Sequence, residues 1–447
     1  MEVGLRIDPS DPRAVDSDFV PASDRAPSPT SGVGEGVGWC GIRLGWVALL
    51  VLTHVALATA SSLRKSDGAD ESHFIGLGWY IVRTGGDFNT ENWHPPLSYY
   101  WGSLGIPFLG LDDGVWTNRV ELRYGAVRYT EIAQQILHEG GRDPATVLLV
   151  SRLPFIALSG LLGLFVYRWS RRLHGDRGGL ISLATYTFCP LMLSHAQLVI
   201  VDVFHAFWFF LSVYAFWAYA RQPSWRRFLG TCLLVAITGG SRHTFLSLGP
   251  IFALLMGWEL LRRREIRPPL ARPAWLVGGR FRRTAVLGGL FAVVVPVLMF
   301  AILWPAYWFH VARPMRFEDR PHRNVDRKLP EGPIRDLGYA VLEAPIPASE
   351  YLGAFIGAVV HGELGHPSFI HGHRSRHAPW YFYPVAMAMK TPLATIALVA
   401  LGVLWPIRGW KGPSGGVFLL AAILVVVVGS FGLPLKIAIR YVLQAYP

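Results

Sequence analysis

The sequence predicts an all-α integral membrane protein, a polytopic helix bundle, and three observations support this class. Of its 447 residues, 52% are hydrophobic and only 16% are charged, whereas globular domains carry about 25% charged residues. Long apolar runs alternate with short clusters of arginine. The three cysteines, Cys40, Cys189 and Cys232, are too widely spaced for a disulfide framework or a Cys-based zinc site. This pattern excludes a soluble, collagen-like, coiled-coil or wholly disordered chain.

Residues 1–38 differ from the rest of the chain, because they are rich in Asp, Pro, Ser and Gly and show no apolar periodicity. Such a stretch buries too little apolar surface to offset its chain entropy, so we predict a disordered cytoplasmic tail. It does not read as a signal peptide, since the stretch before the first apolar run is long and acidic rather than short and basic. Residues 39–447 are then predicted to form one membrane domain.

Apolar runs in this domain are long enough to cross a bilayer, whose core of about 30 Å needs about 20 helical residues. We predict nine spans: 41–60, 147–167, 179–196, 198–220, 228–241, 244–261, 284–304, 385–405 and 416–435. The fifth run is short and ends at Gly239 and Gly240. We therefore expect the fifth span to be tilted or broken.

Lys and Arg collect in alternate connections between these spans, and this asymmetry sets the orientation. Seventeen of them lie in the connections 168–178, 221–227, 262–283 and 406–415. These connections are therefore predicted to be cytoplasmic, as is the N-terminus. The excess of basic charge is explained by topology and by anionic headgroups, so membrane lipids and no nucleic acid are the predicted partners.

The same orientation predicts two long extracytoplasmic loops, 61–146 and 305–384. In the first loop, Ile75–Val82 and Leu97–Leu111 have the aromatic, half-apolar character of helices that lie in the membrane interface. Titratable groups gather in these loops, whereas a transporter places functional charge at mid-membrane between repeats. An outward-facing surface site is the first hypothesis, and a polytopic transporter or lipid flippase is the alternative.

An acidic pair, Asp70 and Glu71, follows the first span closely. Adjacent residues do not share one face of a helix, so we expect one carboxylate to face a cavity and the other the loop or a metal ion. Further along, Pro95 and Pro96 pin His94 in an extended conformation. The acidic pair, the aromatic stretch and this His-Pro-Pro-Leu segment occur in that order within about thirty residues.

Other segments extend this pattern along residues 40–447, above all Tyr381-Phe382-Tyr383-Pro384 followed by Lys390-Thr391-Pro392-Leu393, and Ile439–Pro447. Together they resemble the polyprenyl-phosphate-sugar-dependent membrane glycosyltransferases of GT-C fold, such as the dolichyl-phosphate-mannose protein mannosyltransferases and the lipid A aminoarabinose transferases. The chain departs from these families at Ser241-Arg242-His243-Thr244, where Lys-Tyr-Thr is common, and at Gln444, where Pro is usual. Because relatives continue through further spans beyond Pro447, we predict a C-terminally truncated domain.

The resemblance implies transfer of a sugar from a polyprenyl-phosphate donor to a hydroxyl of a lipid, glycan or protein, with inversion if a single carboxylate acts. It implies that Asp70 is the general base. It implies substrate contacts for residues of both loops and of the span ends: Glu71, His94, Arg242, His243, Lys390 and Arg440. Asp202 is expected to act as a structural or supporting acid, since a carboxylate at the membrane edge normally has a partner.

Several readings stay open at this stage. Arginines at span ends also extend to lipid headgroups, and His94 alternatively caps a loop. No cofactor is required, but a divalent cation is open, because Glu71 is a potential ligand and the histidines at 361, 366, 371, 373 and 377 allow a zinc site. A family member that binds polyprenyl lipid without catalysis is a further alternative. Arg outnumbers Lys and no Asn-X-Ser/Thr acceptor occurs, which favours a bacterial inner membrane with the site on its periplasmic side.

Overall fold

The computed structural model describes residues 36–86, 94–111, 129–262, 266–269, 279–314, 325–326, 330–404, 415–432, 436 and 438–447. The chain divides into two units, Met1–Trp46 and Val47–Pro447, and every contact discussed below lies within the second. The predicted tail 1–38 lies outside the described residues except at its end, where the first helix begins at Gly36.

Fifteen α-helices occur in the described residues. They are α1 Gly36–Ser62, α2 Ala69–Arg83, α3 Leu97–Ser103, α4 Tyr129–Gln134, α5 Pro144–Thr187, α6 Pro190–Ala196, α7 Val201–Arg221, α8 Trp225–Gly239, α9 Leu248–Leu261, α10 Arg280–Ala306, α11 Pro333–Glu343, α12 Ser349–Leu364, α13 Phe382–Lys390, α14 Leu393–Leu404 and α15 Gly415–Phe431. Two short antiparallel strand pairs complete the long connections: β1 Val311–Ala312 with β2 Ile346–Pro347, and β3 Ser368–Ile370 with β4 His373–Ser375.

The polytopic all-α class is confirmed, but fewer helices than the nine predicted spans are long enough to cross a bilayer. Five described helical stretches have the required length and apolar composition: Arg43–Ser62, Pro144–Thr187, Val201–Arg221, His243–Leu261 and Arg280–Ala306. A sixth arises if α13 and α14, which are bent by 112° at a short break, form one span. The fifth predicted run is short as expected, since α8 has only 15 residues.

Two of the differences have local causes. The second predicted run lies in the first part of α5, whose backbone leaves the helical conformation at Gly175, with φ 74° and ψ −175°, values that glycine adopts readily; the rest of α5, up to Thr187, holds the start of the third run. The third run is interrupted because Pro190 starts a new helix, α6, at its first turn. The last two runs end in residues 405 and 433–435, which lie outside the described residues.

Helix α7 forms the centre of the bundle, because 78% of its apolar stretch is buried, compared with 17% in α10. It packs against α5, α8 and the 3₁₀ turn Ile439–Ala445. Phe216 of α7 stacks on Phe252 of α9 at a ring distance of 4.0 Å. This stacking joins α7 to α9, and the packing on the 3₁₀ turn brings α7, which carries Asp202, against the last residues of the chain.

The loop 61–146 folds back on itself as a pair of short helices. Helix α2 approaches α3 so closely at Gly78 that a Cβ there would lie 2.2 Å from the carbonyl oxygen of Tyr99. Only glycine permits this separation, so Gly78 sets how α2 lies against α3. The first turn of α2 carries the acidic pair.

Candidate active site

The acidic pair separates as expected, with its two carboxylates facing different partners. Asp70 lies in the first turn of α2, and its side chain is 54% exposed. Its Oδ2 accepts a hydrogen bond from Nη1 of Arg440, which lies in the 3₁₀ turn near the end of the chain. The structure therefore brings together two residues that are 370 positions apart. The Asp70 carboxylate remains accessible on its exposed side.

Glu71 has the opposite environment, because it is 1% exposed and both oxygens are engaged. Arg152 of α5 donates to it twice, at 2.9 Å from Nε and 2.7 Å from Nη2. The backbone N–H groups of Gly68 and Val199 donate to the same carboxylate at 2.9 and 3.0 Å. With four donors around it, Glu71 ties α2 to α5 and to the start of α7. This placement argues against the predicted substrate or metal contact for Glu71.

Arg152 completes this buried pair and connects it to the end of α1. Its remaining N–H groups donate to the carbonyl oxygens of Ser62, Lys65 and Ser66 at 2.9 to 3.0 Å. All five donors of the guanidinium are therefore used. These hydrogen bonds from the buried Arg152 hold the turn between α1 and α2 in place, and this turn leads directly to Asp70.

A second ion pair lies beside the first. Arg242 is only 5% exposed, and its Nη1 donates to Oδ1 of Asp202 at 2.8 Å. The guanidinium also lies over the ring of Tyr441, 4.3 Å from its centroid. Oδ2 of Asp202 is buried without a hydrogen-bond partner among the described residues. Asp202 thus has the partner that the sequence led us to expect, and it directs Arg242 towards the turn that carries Arg440.

His94 lies near this cluster, where it makes one aromatic contact and interacts electrostatically with charged side chains. Its ring stacks on Phe74 at 5.8 Å, and its backbone N–H donates to the hydroxyl of Tyr99 at 3.2 Å. Burial lowers the pKa of His94 well below its ordinary value, and the charges of Arg242 and Arg440 contribute further. His94 is therefore neutral at pH 7 and is close enough to both arginines to sense their charge.

Arg440 is held between two carboxylates. Burial disfavours its charged form, but attraction by Asp202 and by Asp70 raises its pKa overall. Its Nε is buried without a hydrogen-bond partner among the described residues. Arg440 and Arg242 thus provide two cations with N–H groups beyond those used in the ion pairs described above, a combination suited to binding a phosphate group.

His243 and Lys390 stand at different distances from this cluster. The ring of His243 packs on Tyr351 and Phe355 of α12, and its Nε2 lies 3.3 Å from the carbonyl oxygen of Tyr351. His243 follows Arg242 directly in the sequence, and its side chain contacts α12. Lys390 is exposed at the end of α13, and within the described part of the chain it makes no recorded contact with the Asp70 or Arg242 pairs.

The predicted zinc alternative does not assemble among the described residues, where no group of three or more His, Cys, Asp or Glu side chains is placed to hold a metal ion. The rings of His361 and His366 lie 5.7 Å apart. His371 lies in the turn between β3 and β4 and faces Tyr381, and His373 begins β4 in an exposed position.

A large apolar cavity of about 690 Å³ opens beside this cluster, between α8, α9 and α10. Its lining includes Val235 of α8, Phe245, which follows Arg242 by three residues, Phe252 and Met299. Tyr351, which contacts His243, closes one end. One short segment of the chain thus contributes Arg242 to the charged cluster and Phe245 to the lining of the apolar cavity.

Several residues of the site were not predicted from the sequence. Tyr441 and Tyr99 are aromatic residues in a chain with 16 tyrosines, so composition gave no reason to select them. Arg152 had a detectable signal, because it is a charge within an apolar run and such a residue needs a partner. The partner itself lies 81 positions away and requires the fold.

Comparisons with known proteins agree with this arrangement. Residues 146–278 match a family model described as dolichyl-phosphate-mannose-protein mannosyltransferase. The crystal structure of ArnT from Cupriavidus metallidurans, bound to undecaprenyl phosphate, matches with a TM-score of 0.50 and 16% identity. This match shows that the fold of the chain is similar to that of ArnT. The resemblance recognised in the sequence is confirmed by both matches.

The GT-C match has defined limits. It covers 90% of this chain and 58% of the ArnT chain, so the chain spans somewhat more than half of that protein's length. The family model includes Arg152, Asp202 and Arg242, whereas Asp70 and Arg440 lie outside it. No curated protein matches the sequence significantly.

Proposed function

We propose that this protein is a glycosyltransferase that moves a sugar from a polyprenyl-phosphate donor to a hydroxyl group on the extracytoplasmic side of a membrane. The observation that carries this proposal is the pairing of an exposed carboxylate, Asp70, with a guanidinium, Arg440, beside a second buried guanidinium, Arg242. A base and a phosphate cradle are the two parts that such a transfer needs. The family and fold matches support the same class of reaction.

The phosphate of the donor lies between Arg242 and Arg440 in this proposal. Its oxygens compete with Asp70 for the guanidinium of Arg440, because a charge-assisted bond to phosphate is at least as strong as one to a carboxylate. Binding of the donor thus releases Asp70 from its ion pair. The freed carboxylate then accepts a proton from the acceptor hydroxyl.

The transfer step breaks the bond between the anomeric carbon and the phosphate oxygen, and the electron pair leaves with the phosphate. The acceptor oxygen forms the new bond to the anomeric carbon, and its proton passes to Asp70. Arg242 and Arg440 meet the charge that develops on the leaving group. The other carboxylate of the cluster, Asp202, is buried and bound to Arg242, so it is not available as a nucleophile. A single displacement with inversion follows.

The isoprenoid chain of the donor has a suitable place in the apolar cavity between α8, α9 and α10. Phe245, three residues after Arg242, lines that cavity, so a lipid whose phosphate binds Arg242 can direct its chain into it. A neutral His94 adds a hydrogen-bonding group near both arginines without adding charge. The identity of the sugar and of the acceptor is not part of the proposal.

The test compares cells that carry the wild-type gene, a deletion, or the variants Asp70→Asn and Asp336→Asn. Asp336 lies in α11 and is the matched control, because it has the same chemistry outside the cluster. Mass spectrometry of lipid-linked sugars and envelope glycans is the readout. We expect the deletion and Asp70→Asn to accumulate a polyprenyl-phosphate sugar and to lose one glycoconjugate. Loss of lipid transport with intact sugar transfer would instead support a transporter, and unchanged glycoconjugates would support a non-catalytic lipid binder.

A further inference from the structure

A buried histidine inside the bundle carries an inference that goes beyond the charged cluster. His205 lies in α7, is 1% exposed and is three residues after Asp202, so both side chains project from the same face of the helix. An ionisable residue within a membrane-spanning helix is rare and usually serves a function. Neither the acid-base chemistry nor the phosphate cradle described above uses it.

Both ring nitrogens of His205 bind the segment that carries Arg242. Nδ1 lies 2.8 Å from the hydroxyl of Ser241, and Nε2 lies 3.0 Å from the hydroxyl of Thr244. These two residues flank Arg242 and His243 on either side. Helix α7 therefore holds this segment at three points, through Asp202 on the side chain of Arg242 and through His205 on the residues around it.

The tautomer of His205 follows from the next hydrogen bond in the chain. The Ser241 hydroxyl donates its own proton to the carbonyl oxygen of Thr238 at 2.6 Å, so towards His205 it accepts. Nδ1 of His205 is then the donor, and Nε2 accepts the proton of the Thr244 hydroxyl. One neutral imidazole satisfies both contacts, and an apolar ring satisfies neither.

The segment depends on such external contacts, because no regular helix fixes it. Helix α8 ends at Gly239, Arg242 has an extended backbone with φ −160° and ψ 145°, and a 3₁₀ turn begins at His243. A side chain on an extended link between two helices takes its direction from the tertiary contacts around it. Arg242 needs a defined direction, since its guanidinium lies over Tyr441 and pairs with Asp202.

We propose that His205 is a positioning residue that clamps Ser241 and Thr244 so that Arg242 meets the phosphate of a polyprenyl-phosphate ligand. The inference rests on the proposed function, in which Arg242 binds that phosphate. His205 touches no substrate itself. Its effect is therefore expected on the affinity for the donor and, because Arg242 also meets the charge of the leaving group, on the rate of the chemical step.

His54 offers a matched control within the same protein. It is also 1% exposed and lies in a membrane-spanning helix, and its Nε2 lies 2.8 Å from the hydroxyl of Ser159 while Nδ1 lies 3.2 Å from the carbonyl oxygen of Thr187. These partners belong to α5 and are remote from the Arg242 segment in the chain. Replacing either histidine by phenylalanine keeps an aromatic ring and removes both hydrogen bonds.

The experiment measures binding of undecaprenyl phosphate to the full chain in nanodiscs, and donor KM and kcat once a donor is identified. We expect His205→Phe to weaken binding and raise KM about tenfold, the combined effect of two hydrogen bonds, and to lower kcat as well. His54→Phe is expected to change thermal stability to a similar extent and to leave binding unchanged. His205→Asn, whose amide nitrogen can donate to Ser241 in place of Nδ1, is expected to recover part of the affinity.

The outcomes separate this inference from the proposed function. If wild-type protein neither binds undecaprenyl phosphate nor transfers a sugar, the proposed function fails. If wild type binds but His205→Phe and His54→Phe behave alike, the proposed function stands and the positioning role is overturned. If His205→Phe does not fold, the double variant of His205→Asn with Ser241→Ala decides. Wild-type affinity and wild-type KM in that double variant would contradict the clamp.

Discussion

The buried pair of Glu71 and Arg152 gives a prediction whose magnitude follows from the contacts around it. In the variant Arg152→Met, the side chain keeps an unbranched stem but loses all five N–H donors. The carboxylate of Glu71, 1% exposed, then remains buried with only the N–H groups of Gly68 and Val199 around it. Removing one partner of a buried ion pair costs about 3 to 5 kcal/mol, because it leaves an uncompensated charge.

The matched control is an ion pair on the same helix that is open to solvent. Arg171 and Asp176 lie 2.6 Å apart, with side chains 54% and 33% exposed. An exposed pair contributes about 0 to 1 kcal/mol, so Arg171→Met is expected to have little effect. The double variant Arg152→Met with Glu71→Gln removes the unpaired charge, and we expect it to be more stable than Arg152→Met alone.

Unfolding of the purified protein in detergent, followed by circular dichroism against temperature, measures these differences. We expect the ranking wild type, Arg171→Met, the double variant and Arg152→Met, from most to least stable. The reasoning is refuted if Arg152→Met unfolds at the same temperature as Arg171→Met. It is also refuted if neutralising Glu71 lowers the stability of Arg152→Met further.

Three further predictions concern the site. Asp70→Asn is expected to lower transfer by about 10² to 10⁴ without weakening undecaprenyl phosphate binding, and a retained transfer rate would exclude Asp70 as the base. Burial holds the pKa of His73 at about 4, so between pH 6.5 and 4 the unfolded chain takes up a proton that the folded chain does not. The free energy of unfolding should therefore fall by about 3 kcal/mol as the pH is lowered through that window and stay constant above it. Thermal scans of wild type and His73→Gln measure how stability changes with pH, and this change should be smaller in the variant. Gly78→Ala places a Cβ 2.2 Å from the carbonyl oxygen of Tyr99, so we expect this variant to lower both stability and transfer. The control Gly45→Ala should lower neither, because no atom lies within 4 Å of the added Cβ.

The elements that sequence reasoning placed correctly are those governed by local pattern. Apolar runs gave the helices of the bundle, and the position of Gly239 and Gly240 gave the short fifth helix, α8. The basic connection predicted at 168–178 contains Gly175, where the backbone of α5 leaves the helical conformation. The bend of 112° between α13 and α14 falls at Thr391 and Pro392, so a proline marks this break in the sequence.

The site shows the same division between local and distant information. The acidic pair was visible because its residue types stand out beside an apolar span, and the split between its two faces follows from helix geometry. Which carboxylate is exposed was not visible, since it depends on Arg152 and Arg440, 81 and 370 positions away. Asp202 and Arg242 were singled out separately, and only the fold pairs them.

The substrate contacts predicted for Lys390 and Glu71 stay predictions, and the structure places these two side chains differently from Asp70. Lys390 belongs to a segment that resembles the glycosyltransferases, yet its side chain is exposed at the end of α13. Glu71 is adjacent to Asp70 in sequence but contacts α5 and the start of α7 instead. Proximity in sequence therefore does not decide which side chains face a common ligand.

The most direct test of the account is a structure of the full chain with undecaprenyl phosphate bound in a lipid nanodisc. The account predicts that phosphate oxygens contact the guanidinium groups of Arg242 and Arg440, that the Asp70 carboxylate no longer pairs with Arg440, and that the isoprenoid chain enters the cavity between α8, α9 and α10. A phosphate bound away from both arginines, with the Asp70 pair intact, would contradict it.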